Sequence, residues 1–125
     1  MKFNTMTFGE FLQRKREENQ ITLRKMAELL NFSAPFLSDV EKSRRNPPDL
    51  SKLEQIAEIL HLNDDERNEM FELAGEMRDS IAPDLPDYIK GRKYVSAALR
   101  TARDLDAGEE EWNWFLKELQ ERKGR

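Results

Sequence analysis

The chain of 125 residues contains no cysteine and only one histidine, and both scarcities restrict its chemistry. Without cysteine there is neither a disulfide nor a thiol nucleophile, and the absence agrees with a reducing compartment. A zinc site of the usual kind needs several histidines or cysteines. We therefore predict no catalytic residue, no metal site and no cofactor, and an enzyme is the class that this sequence fits least.

Long apolar runs are also missing. The longest apolar stretches are a few residues, far short of the roughly 20 that a membrane-spanning helix requires. The first residues lack the hydrophobic core of a signal peptide. Charged residues make up 37% of the chain and apolar ones 38%, a composition typical of a highly solvated globular protein. We expect a cytoplasmic chain that makes no contact with a membrane.

Basic residues are outnumbered, and the formal net charge is −4. The distribution is uneven, because residues 1–48 carry a net charge of +3 and residues 49–125 one of −7. A basic front and an acidic remainder suit a protein that meets nucleic acid with one face. A chance asymmetry of solvated faces explains the same charges equally well.

Apolar residues recur at helical spacing along nearly the whole chain, with no sustained alternation to predict a sheet. We place the first helix at 8–18 with Asn19 as a left-handed stop, the third at 34–42 and the fifth at 64–79. Five helices in the first 79 residues each follow a side chain that can cap a helix N-terminus, namely Thr7, Thr22, Ser33, Asp49 and Asn63.

The last third of the chain has a different organisation. Two prolines within residues 81–89 predict an extended connector, and two helices are expected at 92–106 and 109–123. We therefore divide the chain into a domain at 1–79 and a helical extension at 80–125. On the last helix, Trp114 is predicted to lie opposite its apolar stripe among glutamates, either as an exposed single residue or as part of a subunit interface.

Residues 23–40 satisfy the steric needs of two helices joined by a sharp corner. Such a motif requires a small residue where the two helices cross, a residue that tolerates the left-handed region at the corner, and apolar anchors beyond it. Ala27 and Asn31 fill the first two positions, and Leu37 and Val40 fill the anchor positions.

On these residues, the stretch 8–74 resembles the lambda-repressor-like, or Xre-type, helix-turn-helix family. The resemblance is carried by FLQRKREENQITLRKMAELLNFS and FLSDVEKSRRNPP. It implies an all-α, five-helix DNA-binding domain whose third helix reads the DNA, followed here by the helical extension. Two positions depart from the family pattern, since Asn31 replaces a common glycine at the corner and Leu23 replaces a common glutamine that binds phosphate.

The resemblance also implies roles for individual residues. Asp39 would accept a hydrogen bond from cytosine or be neutralised by Arg24 or Lys42. Glu41 would pair with Arg16 as a structural clamp. The residues that would lie against the major groove are Ser33, Ala34, Pro35, Ser38, Asp39 and Lys42, with Arg24 in the same DNA-binding set. Those that would hold the DNA backbone are Arg44, Arg45 and Asn46.

Two functions follow from this reading. One is a sequence-specific regulator of transcription that binds double-stranded DNA, a repressor acting as a homodimer on a pseudo-palindromic operator. The alternative is an antitoxin or phage-control protein whose main role is to bind a partner protein through residues 80–125.

Overall fold

The regular secondary structure of the described residues is entirely helical. The structure is a computed structural model that describes residues 6–124, and it has no strand within them. The predicted all-α fold is confirmed. No helix of this range is both long and apolar enough to cross a bilayer. The eight helices of the described range are α1 (Phe8–Glu18), α2 (Leu23–Leu30), α3 (Ala34–Glu41), α4 (Leu50–Ile59), α5 (Asp64–Met77), α6 (Leu85–Ile89), α7 (Lys93–Asp104) and α8 (Glu109–Lys123).

The helices belong to two compact units, an N-terminal unit that ends at Pro86 and a C-terminal unit that begins at Asp87. This division lies later than the 79/80 boundary expected from the sequence. Ala82 is buried in the core of the N-terminal unit. The chain also passes so close to α5 that a Cβ on Gly75 would meet the carbonyl oxygen of Ile81 at 2.6 Å.

The starts of α1 to α5 are fixed by side-chain caps, as the sequence predicts. Thr7 and Glu10 form a capping box at α1, and Asn63 and Glu66 form another at α5. The other three caps accept hydrogen bonds from backbone amides, and they are Thr22, Ser33 and Asp49. Each cap satisfies an amide that has no partner within its helix.

Two predicted details of the backbone are wrong. Asn19 is not left-handed, since the residue with positive φ after α1 is Gln20 at 57°. The side chain of Asn19 instead donates to the carbonyl oxygen of Lys15 at 2.8 Å. Residues 85–89 form α6 instead of an extended chain. Pro86 is compatible with this helix because it occupies the first turn, where no internal amide bond is lost.

One apolar core fills the N-terminal unit. The apolar faces of α1 to α4 are buried in it, and Leu23 is half-buried at its margin. Met70, Phe71, Leu73 and Ala74 complete this core from α5. The core residues of α1 to α4 are Phe8, Phe11, Leu12, Met26, Ala27, Leu30, Leu37, Val40, Leu53, Ile56, Ala57 and Leu60.

A glycine allows α1 and α3 to come very close. A Cβ on Gly9 would overlap the backbone carbonyl group of Glu41 and lie 2.5 Å from the carbonyl oxygen of Val40. The neighbouring atoms belong to backbone, so they cannot rotate away as a flexible side chain would. The end of α3 is therefore seated directly on the first turn of α1.

We predict that Gly9→Ala destabilises the protein by about 1–3 kcal/mol, because the added methyl group forces these two backbones apart. Urea unfolding followed by circular dichroism measures the effect. Gln13→Ala, at an exposed position of the same helix, should change the free energy of unfolding by no more than about 0.5 kcal/mol. Equal stability of Gly9→Ala and the wild type would contradict the close backbone packing of α1 and α3 at Gly9.

Candidate nucleic-acid interface

A three-residue corner joins α2 to α3. Asn31 adopts the left-handed region with φ 61°, as predicted, and the amide of Phe32 donates to the carbonyl oxygen of Ala27 at 2.8 Å. Ser33 then caps α3 by accepting from the amide of Phe36 at 3.1 Å. Ala27 is only 2% exposed, which agrees with the small residue expected where the helices cross. This geometry defines a helix-turn-helix protein.

The outer face of α3 is accessible, whereas Leu37 and Val40 anchor its inner face in the core. The helix ends at Glu41 and not at Lys42 as predicted, and Lys42 is its C-terminal cap. None of the six residues expected against the groove is buried; the exposed ones are Ser33, Pro35 and Lys42, and the partly exposed ones are Ala34, Ser38 and Asp39.

Asp39 has different partners from the two expected. Its carboxylate lies 3.7 Å from Nη1 of Arg44 and 4.0 Å from Nε of Arg45, and it is not paired with Arg24 or Lys42. The cause is the turn after α3, where Ser43 is left-handed with φ 62° and the amide of Arg44 donates to the carbonyl oxygen of Asp39 at 2.8 Å. The chain thus folds back and brings both arginines to the last turn of the helix.

An aromatic pair beside these arginines has no counterpart in the sequence-based site. The ring centroids of Phe32 and Phe36 lie 4.8 Å apart, and the guanidinium of Arg45 lies 4.9 Å from the centre of the Phe36 ring. Lys52 covers Phe32 at 5.3 Å and donates to the carbonyl oxygen of Leu30 at 2.6 Å. Phe32 lies in the corner before the Ser33 cap and outside α3, so helical spacing gives no signal for this pair. The contact with the Phe36 ring positions the Arg45 guanidinium beside α3.

The remaining predicted DNA-binding residues are accessible. Arg24 is exposed on α2, and Asn46 is exposed in the loop between α3 and α4. Pro47, the next residue of this loop, is buried, which fixes the backbone that carries the arginines. Arg44 and Arg45 are therefore presented on a well-anchored loop.

The predicted ion pair between Arg16 and Glu41 is present and buried. Nε of Arg16 donates to Oε2 of Glu41 at 2.7 Å, and Nη2 donates to Oε1 at 3.0 Å. The two side chains are 9% and 5% exposed. Hydrogen bonding to Glu41 raises the pKa of the Arg16 guanidinium. Nη1 of Arg16 also donates to the carbonyl oxygen of Ile21 at 2.8 Å, so one side chain joins α1, the segment before α2, and α3.

The C-terminal unit contains a second surface, which includes Trp114. None of its side chains within residues 87–124 is buried. Apolar residues of α7 and α8 line an open groove of about 690 Å³. Trp114 lies on the rim of this groove and is 65% exposed, more than any other apolar residue of α8, and its role at a subunit interface stays a prediction. Only about 100° of helix rotation separates Trp114 from Phe115, and its large ring reaches the groove.

Comparison with known proteins identifies similar chains. The immunity repressor protein of Bacillus phage phi105 is 40% identical over 55 residues, which make up 44% of this chain and 38% of that protein. The match thus spans less than two-fifths of the relative's length. A solved structure described as a SinR protein/SinI protein complex aligns with 95% of this chain and 100% of that chain, with a TM-score of 0.48 and 17% identity.

A family model described as a helix-turn-helix domain matches residues 7–70, about half of the chain. The chain therefore belongs to the helix-turn-helix domain family, a non-enzymatic class of DNA-binding regulators. The matched range covers the corner, α3 and the loop that carries the arginines.

We predict that breaking the buried ion pair on one side is far more costly than replacing both partners. Arg16→Met or Glu41→Leu alone should cost about 3–5 kcal/mol, because each leaves an unpaired buried charge. The double variant should lose much less than the sum of the two losses. Urea unfolding of all four proteins measures this coupling.

The exposed pair of Lys25 and Glu28 on α2 provides the matched control, with its charged atoms 3.2 Å apart. Lys25→Met should change the free energy of unfolding by less than about 1 kcal/mol, since solvent screens an exposed pair. Strictly additive losses for Arg16→Met and Glu41→Leu would contradict the buried clamp.

Proposed function

We propose that this protein is a sequence-specific, double-stranded-DNA-binding regulator of transcription that places α3 in the major groove. The observation that carries this proposal is the corner at Asn31, which holds a capped and accessible α3 next to a loop with two arginines. A helix held in this way, with its inner face anchored, can enter the groove of a duplex without rearrangement. A regulator of this kind would act in the cytoplasm.

The composition of the outer face suggests how sequence would be read. Ala34 and Pro35 offer apolar contacts that suit thymine methyl groups, and Ser38 suits either kind of base. Lys42 is the one long cationic side chain at the end of α3. We therefore assign much of the specificity to Lys42, to Arg44 and to the shape of the DNA.

The contacts of Asp39 support a role for the two arginines on the DNA backbone. Both ion pairs are long, at 3.7 and 4.0 Å, and the arginine side chains are 67% and 55% exposed. Pairs of this kind contribute little stability, so Arg44 and Arg45 can exchange the carboxylate for phosphate at small cost. Until then, Asp39 keeps them close to the groove-facing side of the helix.

The sign of regulation is proposed from the phage relative. That protein is named an immunity repressor, and its match lies in a stretch of 55 residues. A protein that fills the major groove at a promoter excludes other proteins from the same site. We therefore propose that this chain represses transcription by occlusion.

We further propose that the C-terminal unit joins two copies of the chain into a dimer. A pair of helices without a buried side chain cannot bury enough apolar area to be stable alone. A second copy suits the charges, since α7 carries three cationic side chains and one anionic, whereas α8 carries five anionic and three cationic. Packing of α7 against α8 of the second copy would cover the groove and pair opposite charges. A twofold dimer would also fit a pseudo-palindromic operator.

The DNA-binding proposal predicts that Arg44→Ala and Arg45→Ala weaken binding to every duplex. Each loss of a phosphate contact should reduce the slope of log affinity against log salt concentration by about 0.9. Arg14→Ala, which removes an exposed arginine from α1, should leave this slope unchanged. Fluorescence anisotropy with labelled duplexes over a range of salt concentrations measures it.

Selection of bound duplexes from a random pool tests the specific function. A pseudo-palindromic consensus with half-sites about one helical turn apart is the expected result. No retention of any duplex at low ionic strength would refute the proposal, and unchanged salt slopes for both arginine variants would refute their backbone role.

The dimer proposal predicts that Trp114→Ala and Phe115→Ser shift the chain toward a monomer in sedimentation experiments. Both substitutions remove apolar area from the groove, so about 1.5–3 kcal/mol of burial is lost for each large side chain covered. Asn113→Ala, an exposed position of the same helix that does not line the groove, is the control. A monomeric wild type would contradict the dimer and favour the alternative, an antitoxin or phage-control protein that covers this groove with another protein.

A further inference from the structure

We propose that Arg78, at the end of α5, is a phosphate-binding residue that extends the DNA contact beyond α3. Arg78 lines one side of a basic cleft, and the loop that carries Arg44 and Arg45 lines the other side. The inference rests on the proposed DNA-binding function and adds a residue that neither the sequence reading nor the helix-turn-helix corner includes.

The cleft lies entirely within the N-terminal unit. It has a volume of about 570 Å³ and is lined by Phe36 of α3, loop residues 43–48, Met77 and Arg78. Three arginines thus face one space, together with the amide of Asn46, and no carboxylate is among the lining side chains. The hydroxyl of Ser43 also lines the cleft and donates to Oγ1 of Thr7 at 3.1 Å. Guanidinium and amide groups are donors that a phosphate group accepts from.

Two of the three guanidinium groups are positioned within the protein itself. Arg78 donates through Nη2 to the carbonyl oxygen of Pro47, which fixes it across the loop although 31 residues separate the two. Arg45 is held over the ring of Phe36. A guanidinium has five N–H donors, so Arg78 keeps further donors for a ligand. Little side-chain entropy is then lost when a phosphate enters the cleft.

The position of the cleft favours the backbone of the bound duplex as the source of the phosphate. Phe36 in the first turn of α3 and Ser43 just after its last turn connect the cleft to this helix, which is proposed to occupy the major groove. The strand that borders that groove carries one phosphate per 3.4 Å of helix axis, so a phosphate follows directly beyond the contacts of Arg44. The cleft is therefore the continuation of the same interface.

The experiment measures binding of the full-length chain to a labelled duplex of mixed sequence at about 50–200 mM salt, the range in which phosphate contacts dominate. We expect Arg78→Gln to reduce the salt slope by about 0.9, the value for one phosphate contact in B-form DNA. Arg78→Lys keeps the charge and should retain the wild-type slope. Arg14→Gln removes the same charge from α1 and should also leave the slope unchanged.

Thermal unfolding of the same variants separates DNA contact from a purely structural role. If Arg78 only holds the loop through Pro47, Arg78→Gln lowers the melting temperature and leaves the salt slope of its binding unchanged, which overturns the inference. An equal loss of slope in Arg14→Gln also overturns it, because net charge would then explain the effect. If the wild type binds no duplex at low salt, the proposed function fails together with the inference; if it binds and only the Arg78 expectation fails, the proposed function stands.

Discussion

The buried ion pair between Arg16 and Glu41 holds the end of α3 against α1, and the outward face of α3 depends on it. Close backbone packing at Gly9 fixes the same end, and the corner at Asn31 fixes the other. All of these contacts lie on the inner side of the helix. The outer side chains therefore play little part in supporting α3, and exchanging them would leave the orientation of the helix unchanged.

Local signals determined most of the N-terminal fold. Capping side chains and helical spacing predicted the starts of α1 to α5 and nearly all of their buried faces, since a cap and its amide lie within three residues of each other. The errors occurred where neighbouring residues compete for one role. Asn19 tolerates the left-handed region, but its side chain bonds to the helix end and Gln20 takes the turn. The two prolines of residues 81–89 predict an extended chain, although the first turn of α6 accepts Pro86.

The sequence predicted which residues lie on or after α3 but not which side chains they contact. Which residues lie on or after α3 follows from spacing, whereas the partners of Asp39 depend on the left-handed turn at Ser43. Arg78 illustrates the same limit, because a basic residue at a helix end has an ordinary role with the helix dipole and gives no sign of the distant loop it meets. Contacts between residues far apart in sequence require the tertiary fold, and the tertiary fold brought Arg78 to the cleft.

In the proposed dimer, the open groove between α7 and α8 would make the folding of the C-terminal unit depend on the concentration of the protein. Whatever covers these apolar side chains supplies free energy that the two helices do not generate by themselves. If the cover is a second copy, mass action makes the helical content of this unit rise with chain concentration. At low concentration such a protein would keep an intact helix-turn-helix domain and lose the proposed twofold symmetry that strengthens binding to paired half-sites, so the proposed repression would increase steeply as the protein accumulates.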